Sequence, residues 1–288
     1  MDKKVWYLTG VSKGLGLALI NRLLREGHRV AAVPGPGSGL DCGPVPGLAS
    51  GPASGLAEAM PRHPSLLLLE ADLADEQSVA DSIRQTCEVF GRIDVVVNNA
   101  GYGLGAPIAH TITVIQKAMS RLRAQRSGHI INIAPITGVT IGTPHGHAFY
   151  AAARQATIDL SATLAEDIRP LGIRVTAVLS DGFHTRLPSR RALPGAAGAQ
   201  TSGTLGIPGT LRTSGTSGTP GMAQPWHISV DGRQPGDPGK AAEALLRIAT
   251  AAEPPALVYF TSHAYRTASE KMTLFRQVIA SRQCATSF

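Results

Sequence analysis

The feature that most constrains this chain is a glycine-rich turn placed directly between a strand pattern and a helix pattern. Apolar residues 5–8 lead into residues 9–16 (TGVSKGLG), and apolar side chains then recur at helical spacing over residues 17–24. Glycine at positions 10, 14 and 16 lets the backbone approach a bound group closely, because no Cβ stands in the way. Free amides at the start of a helix favour a phosphate. The sequence therefore predicts a nucleotide-binding unit.

Strand and helix patterns alternate along the rest of the chain. Strands are predicted over 4–9, 28–33, 65–70, 93–98, 129–134, 172–178 and 255–260. Helices are predicted over 14–26, 75–89, 112–126, 148–168, 238–251 and 264–281. Because strands joined by helices pair in parallel with right-handed crossovers, the pattern predicts an α/β fold of three layers, with a doubly wound parallel sheet between two layers of helices. The 288 residues fit a single domain.

Two low-complexity stretches interrupt this order, at about 34–56 and 186–235. The first is rich in Gly, Pro, Ala and Ser, and the second is rich in Gly, Pro, Ser and Thr. Such segments bury too little apolar surface to offset the entropy lost on ordering. We expect mobile surface loops at both places.

Composition indicates a globular protein. Hydrophobic residues make up 43% of the chain and charged residues 16%. No apolar run reaches the roughly 18 residues that a membrane-spanning helix needs, and residues 1–4 lead into a strand pattern instead of a signal-peptide core. We therefore expect a cytoplasmic protein without a membrane partner.

Charge and cysteine usage argue against a nucleic-acid-binding protein and against a zinc or redox-dithiol site. The net charge is +7, but the basic residues are scattered, so we predict no nucleic-acid partner. Cys42, Cys87 and Cys284 form no CxxC pair and are interpreted as free thiols.

Two further motifs lie at informative distances from the glycine turn. The third strand pattern ends at Asp72 and Leu73, and the fourth leads into residues 98–101 (NNAG). With the glycine turn, these motifs resemble the short-chain dehydrogenase/reductase family of classical type. The resemblance implies a Rossmann fold and a nicotinamide dinucleotide cofactor. The cofactor-binding residues it implies are Gly10, Ser12, Lys13, Gly14, Leu15, Gly16, Asp72, Leu73, Asn99, Ala100, Gly101 and Thr185.

The end of the second strand bears on which nicotinamide cofactor is bound. An acidic residue there would accept a hydrogen bond from the ribose 2′-hydroxyl and repel a 2′-phosphate. This chain has Val33 and Pro34 instead, and Lys13 adds a positive charge in the glycine turn. NADP(H) is therefore favoured over NAD(H).

The resemblance also implies a tyrosine acid/base with a lysine four residues later. Tyr150 matches the tyrosine, at the start of an alanine-rich helix pattern, and Arg154 stands where the family has lysine. A guanidinium can stabilise a phenolate, whose reference pKa is about 10, but it cannot shuttle a proton. We predict Tyr150 as the acid/base and Arg154 as its electrostatic support. A buried tyrosine with a structural role is the alternative.

The family's carbonyl-polarising serine is replaced. Counted back from Gly138, its position falls on Pro135, which has no donor. Thr137 lies 13 residues before Tyr150, a spacing also found in the family, and is predicted to take the serine's place. A turn threonine is the alternative.

The family's catalytic asparagine is also missing. Only 27 residues separate Gly101 from His129, which leaves a helix of about four turns over 112–126, and none of its residues is Asn. The family uses this helix for oligomer contacts. Shortening it disfavours a homo-oligomer, which stays an open alternative.

The nicotinamide end departs from the family after the sixth strand as well. Ser180 and Asp181 replace a Pro-Gly pair. Phe183 and Thr185 keep their family positions, and Thr185 is implied as the carboxamide contact.

Histidines near Tyr150 raise the question of a metal. His145 and His147 form a His-x-His pair, and His110 and His184 belong to neighbouring segments. A glycine-rich loop holds no third ligand rigidly, so we predict no metal site. A catalytic histidine or ordinary loop histidines are the interpretations left open.

These observations predict an NADP(H)-dependent oxidoreductase that transfers a hydride between nicotinamide and a small hydrophobic carbonyl or alcohol, with impaired or altered catalysis. The missing residues keep two alternatives open. One is a redox-inactive protein of this fold acting as a cyclase or isomerase. The other is a pseudoenzyme that only binds the dinucleotide.

Overall fold

The computed structural model describes residues 2–12, 14–34, 61–99, 108–135, 148–180 and 237–281. The strands within these ranges are β1 (Val5–Thr9), β2 (Arg29–Val33), β3 (Leu66–Leu68), β4 (Val95–Asn98), β5 (Gly128–Pro135), β6 (Ile173–Ser180) and β7 (Leu257–Tyr259). The helices are α1 (Gly14–Arg25), α2 (Glu76–Phe90), α3 (Ile108–Gln125), α4 (Ala148–Ile168), α5 (Pro238–Thr250) and α6 (Ser262–Ser281). A short 3-10 turn, Arg169–Leu171, follows α4.

The strands form one parallel sheet in the order β3-β2-β1-β4-β5-β6-β7. This is the predicted doubly wound fold of Rossmann type. The chain starts in the middle with β1, builds outward to β3, and then returns to add β4 on the other side of β1. The strand order therefore reverses between β1 and β4, which opens a crevice at their carboxyl ends.

Apolar residues fill both faces of the sheet because its central strands are nearly continuous apolar runs. On one face, Trp6, Leu8, Val97 and Ile131 pack against α1 and α5. On the other, residues such as Tyr7 and Ile130 pack against α2, α3 and α4. Successive residues of a strand alternate between these two cores, so each strand is buried on both sides.

Helix boundaries follow local capping chemistry where the structure describes it. Asp75 accepts from Gln77 N at the start of α2, and Gly91 ends that helix with φ 83°. Asp237 accepts from Gly239 N and Lys240 N at the start of α5, whose first residue is Pro238. Both starts were predicted within one residue.

The predicted boundaries of one helix and of both edge strands are corrected. Helix α3 begins at Ile108 instead of 112 and has 18 residues, about five turns instead of four. Thr111 in its first turns is 9% exposed, so packing against the core extends the helix beyond its sequence periodicity. The longer helix also weakens the reason for disfavouring a homo-oligomer. Strand β3 spans only Leu66–Leu68 instead of 65–70, and β7 spans only Leu257–Tyr259 instead of 255–260, because a sheet edge offers pairing partners on one side.

A buried histidine, His129, lies at the amino end of β5. His129, in β5, is 5% exposed, and its Nε2 lies 2.9 Å from Thr176 Oγ1. Thr176 Oγ1 donates to the carbonyl oxygen of Pro255 at 2.7 Å. Since the hydroxyl hydrogen is committed, the neutral ring donates from Nε2. Burial, followed by the charges of Lys4 and Arg174, lowers the pKa of His129 from 6.5 to about 3.

We expect the free energy of unfolding to decrease as the pH falls from about 6.5 toward about 3, because the unfolded chain binds a proton at His129 that the folded chain does not. Above this window the ring is neutral in both states. One such group contributes at most ~1.4 kcal/mol per pH unit. Urea denaturation at several pH values should show a flatter acid dependence for His129→Gln than for the wild type. Equal slopes would contradict this account.

Candidate functional site

The described residues of the glycine turn, together with Asn99, lie at the crevice between β1 and β4. The glycine turn follows β1, and Asn99 follows β4. In open α/β sheets, ligands bind at the carboxyl ends of strands where the order reverses. The two motifs lie about 90 residues apart in sequence, and the topology brings them to this one point.

The glycine turn requires backbone conformations that favour glycine. Gly10 has φ 68° and Gly14 has φ 56°, both in the left-handed region. Gly10 N donates to the carbonyl oxygen of Val33 at 2.9 Å, which ties the turn to the end of β2. Helix α1 begins at Gly14, so the unpaired amides of its first turn face the space above the turn.

Gly16 lies where the turn and the helix come closest. A Cβ built at Gly16 would stand 2.6 Å from the carbonyl oxygen of Gly10 and 2.6 Å from the Cα of Val11, and 3.1 Å from Asn99 Nδ2. Two of these atoms belong to the backbone, so moving them away from the new Cβ would cost free energy. Helix α1 can therefore sit this close to the turn only with glycine at position 16.

Asn99 joins the two sides of the crevice. Its Nδ2 donates to the carbonyl oxygen of Gly10 at 2.7 Å, and its backbone N donates to Thr9 Oγ1 at 3.2 Å. The Oδ1 atom of Asn99 is buried and accepts no hydrogen bond from the residues described. The end of β4 is thus fixed against the glycine turn by two hydrogen bonds.

Asp72 and Leu73 form a turn after β3. Asp72 Oδ1 accepts from Ala74 N at 2.9 Å, and Asp72 N donates to Ser78 Oγ at 3.0 Å. Leu73 is buried, while Asp72 is exposed. One carboxylate oxygen of Asp72 is thus held by local structure, which orients the side chain at the surface.

The predicted catalytic pair lies on α4, which packs against β5 and β6. Tyr150 is the third residue of this helix. Arg154 is 5% exposed, so a permanently charged side chain is almost wholly removed from water. Pro135, at the serine position, pairs in register with Ser180 at the carboxyl ends of β5 and β6.

Several predicted residues lie outside the described residues: Lys13, Ala100, Gly101, Thr137, His145, His147, Asp181, Phe183, His184 and Thr185. The two low-complexity stretches lie there as well, apart from Pro34. Among the residues that are described, no group of three or more His, Cys, Asp or Glu could hold a metal ion.

A buried chain of polar side chains was missed at the sequence level. Asn98 Nδ2 donates to Asn132 Oδ1 at 2.8 Å, and Asn132 Nδ2 donates to Ser161 Oγ at 2.9 Å. Ser161 Oγ donates to the carbonyl oxygen of Thr157 at 2.6 Å. The available signal was a polar Asn132 inside the apolar strand run of residues 130–133 and Ser161 on the face of α4 that carries Arg154.

A groove of about 490 Å³ lies elsewhere, between α3 and α4. Its apolar lining is Ile112, Ile115, Met119, Leu160 and Leu164. None of the predicted site residues lines it. The glycine turn and Asn99 lie at the crevice between β1 and β4, not in this groove.

No described helix is long and apolar enough to cross a membrane.

Comparison with known proteins connects this geometry to a family. A family profile described as short chain dehydrogenase matches residues 48–192. The oxidoreductase BOA17 of Botryotinia fuckeliana is 29% identical over 198 residues, which cover 63% of this chain and 66% of that protein. The 2-(R)-hydroxypropyl-CoM dehydrogenase of Xanthobacter autotrophicus is 33% identical over 207 residues, which cover 65% of this chain and 78% of that protein.

A solved structure shares the architecture over almost the full length. The short chain dehydrogenase of Burkholderia cenocepacia, determined in complex with NADP, superposes with a TM-score of 0.61. It covers 99% of this chain and 98% of its own, at 16% sequence identity. At this identity the likeness concerns the fold.

We expect Gly16→Ala to lower the free energy of unfolding by about 1–3 kcal/mol, because the new methyl group overlaps backbone atoms of the glycine turn. Gly239→Ala is the matched control. Its Cβ would meet only the capping side chain of Asp237, whose Oδ1 lies at 3.2 Å. Urea denaturation of both variants measures the difference. Equal effects would show that the close approach at Gly16 carries no special cost.

Proposed function

Since this chain belongs to the short-chain dehydrogenase family of NAD(P)-dependent oxidoreductases, we propose that it uses NADP(H) to interconvert a small hydrophobic carbonyl compound and its alcohol. The observation that carries this proposal is the joining of the glycine turn to Asn99 at the point where the strand order reverses. That arrangement leaves helix amides and positive dipole at the mouth of the crevice, where a pyrophosphate fits.

The preference for NADP(H) over NAD(H) rests on the end of β2. Val33 is fully buried, and its carbonyl oxygen accepts from Gly10 N. Among the described residues, no carboxylate stands at this strand end to accept from a ribose 2′-hydroxyl or to repel a 2′-phosphate.

The chemistry assigned to the protein itself is proton transfer. When bound, NADPH supplies a hydride to the carbonyl carbon of the substrate. Tyr150 then donates its phenolic proton to the substrate oxygen, and the reverse reaction returns that proton to the phenolate. Arg154, one helical turn later and largely buried, stabilises the phenolate electrostatically.

Catalysis is proposed to be impaired because Pro135 provides no hydroxyl at the serine position. Loss of one donor to a developing oxyanion costs on the order of 100- to 1000-fold in rate. Thr137 is proposed to compensate in part. The remaining proposed cofactor contacts are Ser12, Lys13, Gly14, Leu15, Asp72, Leu73, Ala100, Gly101 and Thr185.

A second candidate function keeps the dinucleotide and omits the redox step. The observation that favours it is the double departure at Pro135 and Arg154, which leaves Tyr150 without the usual hydroxyl and ammonium partners. In that case the protein is a cyclase, an isomerase or a dinucleotide-binding pseudoenzyme.

Turnover assays separate these functions. We expect NADPH absorbance at 340 nm to fall slowly when the protein is given a panel of small ketones and aldehydes, and NADPH to bind more tightly than NADH by about tenfold or more in calorimetric titrations. Complete inertness toward the panel, together with measurable cofactor binding, would reject the oxidoreductase assignment. Product formed without cofactor consumption would support the second candidate.

Two substitutions test the proton chemistry. Tyr150→Phe should abolish redox turnover and leave NADPH affinity unchanged, because only the phenolic proton is lost. Arg154→Lys should raise turnover, since an ammonium can support the phenolate and also exchange a proton. Arg169→Lys, at an exposed position just after α4, is the matched control and should change nothing. Unchanged turnover in Tyr150→Phe would remove this residue from the mechanism.

A further inference from the structure

The inner face of α4 is unusually polar for a helix packed on a sheet. Arg154, Thr157 and Ser161 share this face at spacings of three and four residues, and they are 5%, 2% and 0% exposed. Apolar residues occupy the corresponding positions of most helices that cover a sheet. Buried polar groups are tolerated only where hydrogen-bonding partners are fixed in place, so this face specifies one position of the helix.

The partners come from the carboxyl end of β4 and from the interior of β5. Asn98 and Asn132 are neighbours in the register of β4 and β5. Both project to the side of the sheet that α4 covers, since Val96 and Ile130 two residues earlier belong to that core. Their amides pass one hydrogen bond from β4 to β5 and a second from β5 to Ser161 of α4.

The chain of hydrogen bonds has a single direction. Each side chain donates to the next, from Asn98 to Asn132 to Ser161, and Ser161 donates onward to the carbonyl oxygen of Thr157. Thr157 in turn donates to the carbonyl oxygen of Ala153 at 3.0 Å. The series therefore ends within the helical turn that carries Arg154. Aligned donors strengthen one another and resist rotation of the helix.

Asn98 also precedes Asn99, which binds the glycine turn. Through the peptide link between these two residues, the hydrogen bonds connect the turn after β1 to β4, β5 and Ser161 of α4, and from there to Thr157 and Ala153. We propose that Asn132 and Ser161 are positioning residues, which set the placement of Tyr150 and Arg154 relative to the nucleotide crevice. This inference deepens the proposed function and rests on it for the roles of Tyr150 and Arg154.

Ser161→Ala tests the proposal because it deletes the side chain that accepts the hydrogen bond from Asn132 to α4. The matched control is Thr176→Val, which breaks an equally buried hydrogen bond to β5 on the opposite face of the sheet. Both variants should lose thermal stability to a similar degree. A purely structural role of Ser161 would make them behave alike in every further measurement.

The discriminating measurement is the ionisation of Tyr150, followed by ultraviolet titration. The difference between each protein and its Tyr150→Phe partner isolates this phenol among the five tyrosines. We expect the midpoint to rise by about one pH unit in Ser161→Ala, because Arg154 is less well held, and to stay unchanged in Thr176→Val. Where turnover is measurable, kcat should fall about tenfold in Ser161→Ala with KM unchanged.

An unchanged midpoint in Ser161→Ala, or an equal shift in both variants, would overturn the positioning role. This readout does not depend on turnover. A protein that is inert with NADPH but shows the shift only in Ser161→Ala would contradict the proposed redox function and retain the positioning role. Should Ser161→Ala fail to fold, Ser161→Cys, which keeps the size and a weak acceptor, is taken through the same titration.

Discussion

The hydrogen bond from the Asn99 side chain to the carbonyl oxygen of Gly10 is the contact on which the site depends. It crosses the point where the strand order reverses, and together with the bond from Asn99 N to Thr9 Oγ1 it joins the two motifs beyond the paired residues of β1 and β4. The bond is possible only because Gly16 leaves room for α1 beside Gly10 and Asn99. A side chain at position 16 would displace the helix, and the amides at its start would no longer face the crevice.

The parts of the fold that sequence predicts are those encoded by neighbouring residues. Near-continuous apolar runs predict buried parallel strands, and Asp237 followed by Pro238 predicts the start of α5. The start of α3 was placed four residues late, since Thr111 and its neighbours show weak helical periodicity and are held by packing. Local pattern and tertiary packing agree for most elements, and the exceptions arise where packing alone decides.

The polar chain behind the site shows the other limit of sequence reasoning. Asn98 and Asn132 are separated by 34 residues, and Asn132 and Ser161 by 29. Each residue alone has an ordinary interpretation, as a strand end, an irregularity in a strand or a helix serine. Their pairing depends on the register of β4 with β5 and on the placement of α4. Neither follows from spacing, so the connection becomes visible only in three dimensions.

Arginine at position 154 places a permanent positive charge in a buried position of the site. A buried lysine can lose its proton to relieve the cost of desolvation, whereas a guanidinium stays charged. The inner face of α4 must therefore accommodate a permanent positive charge, and the neighbouring polar residues are consistent with that requirement. The buried hydroxyls and amides near Arg154 therefore restrict where that fixed charge can lie.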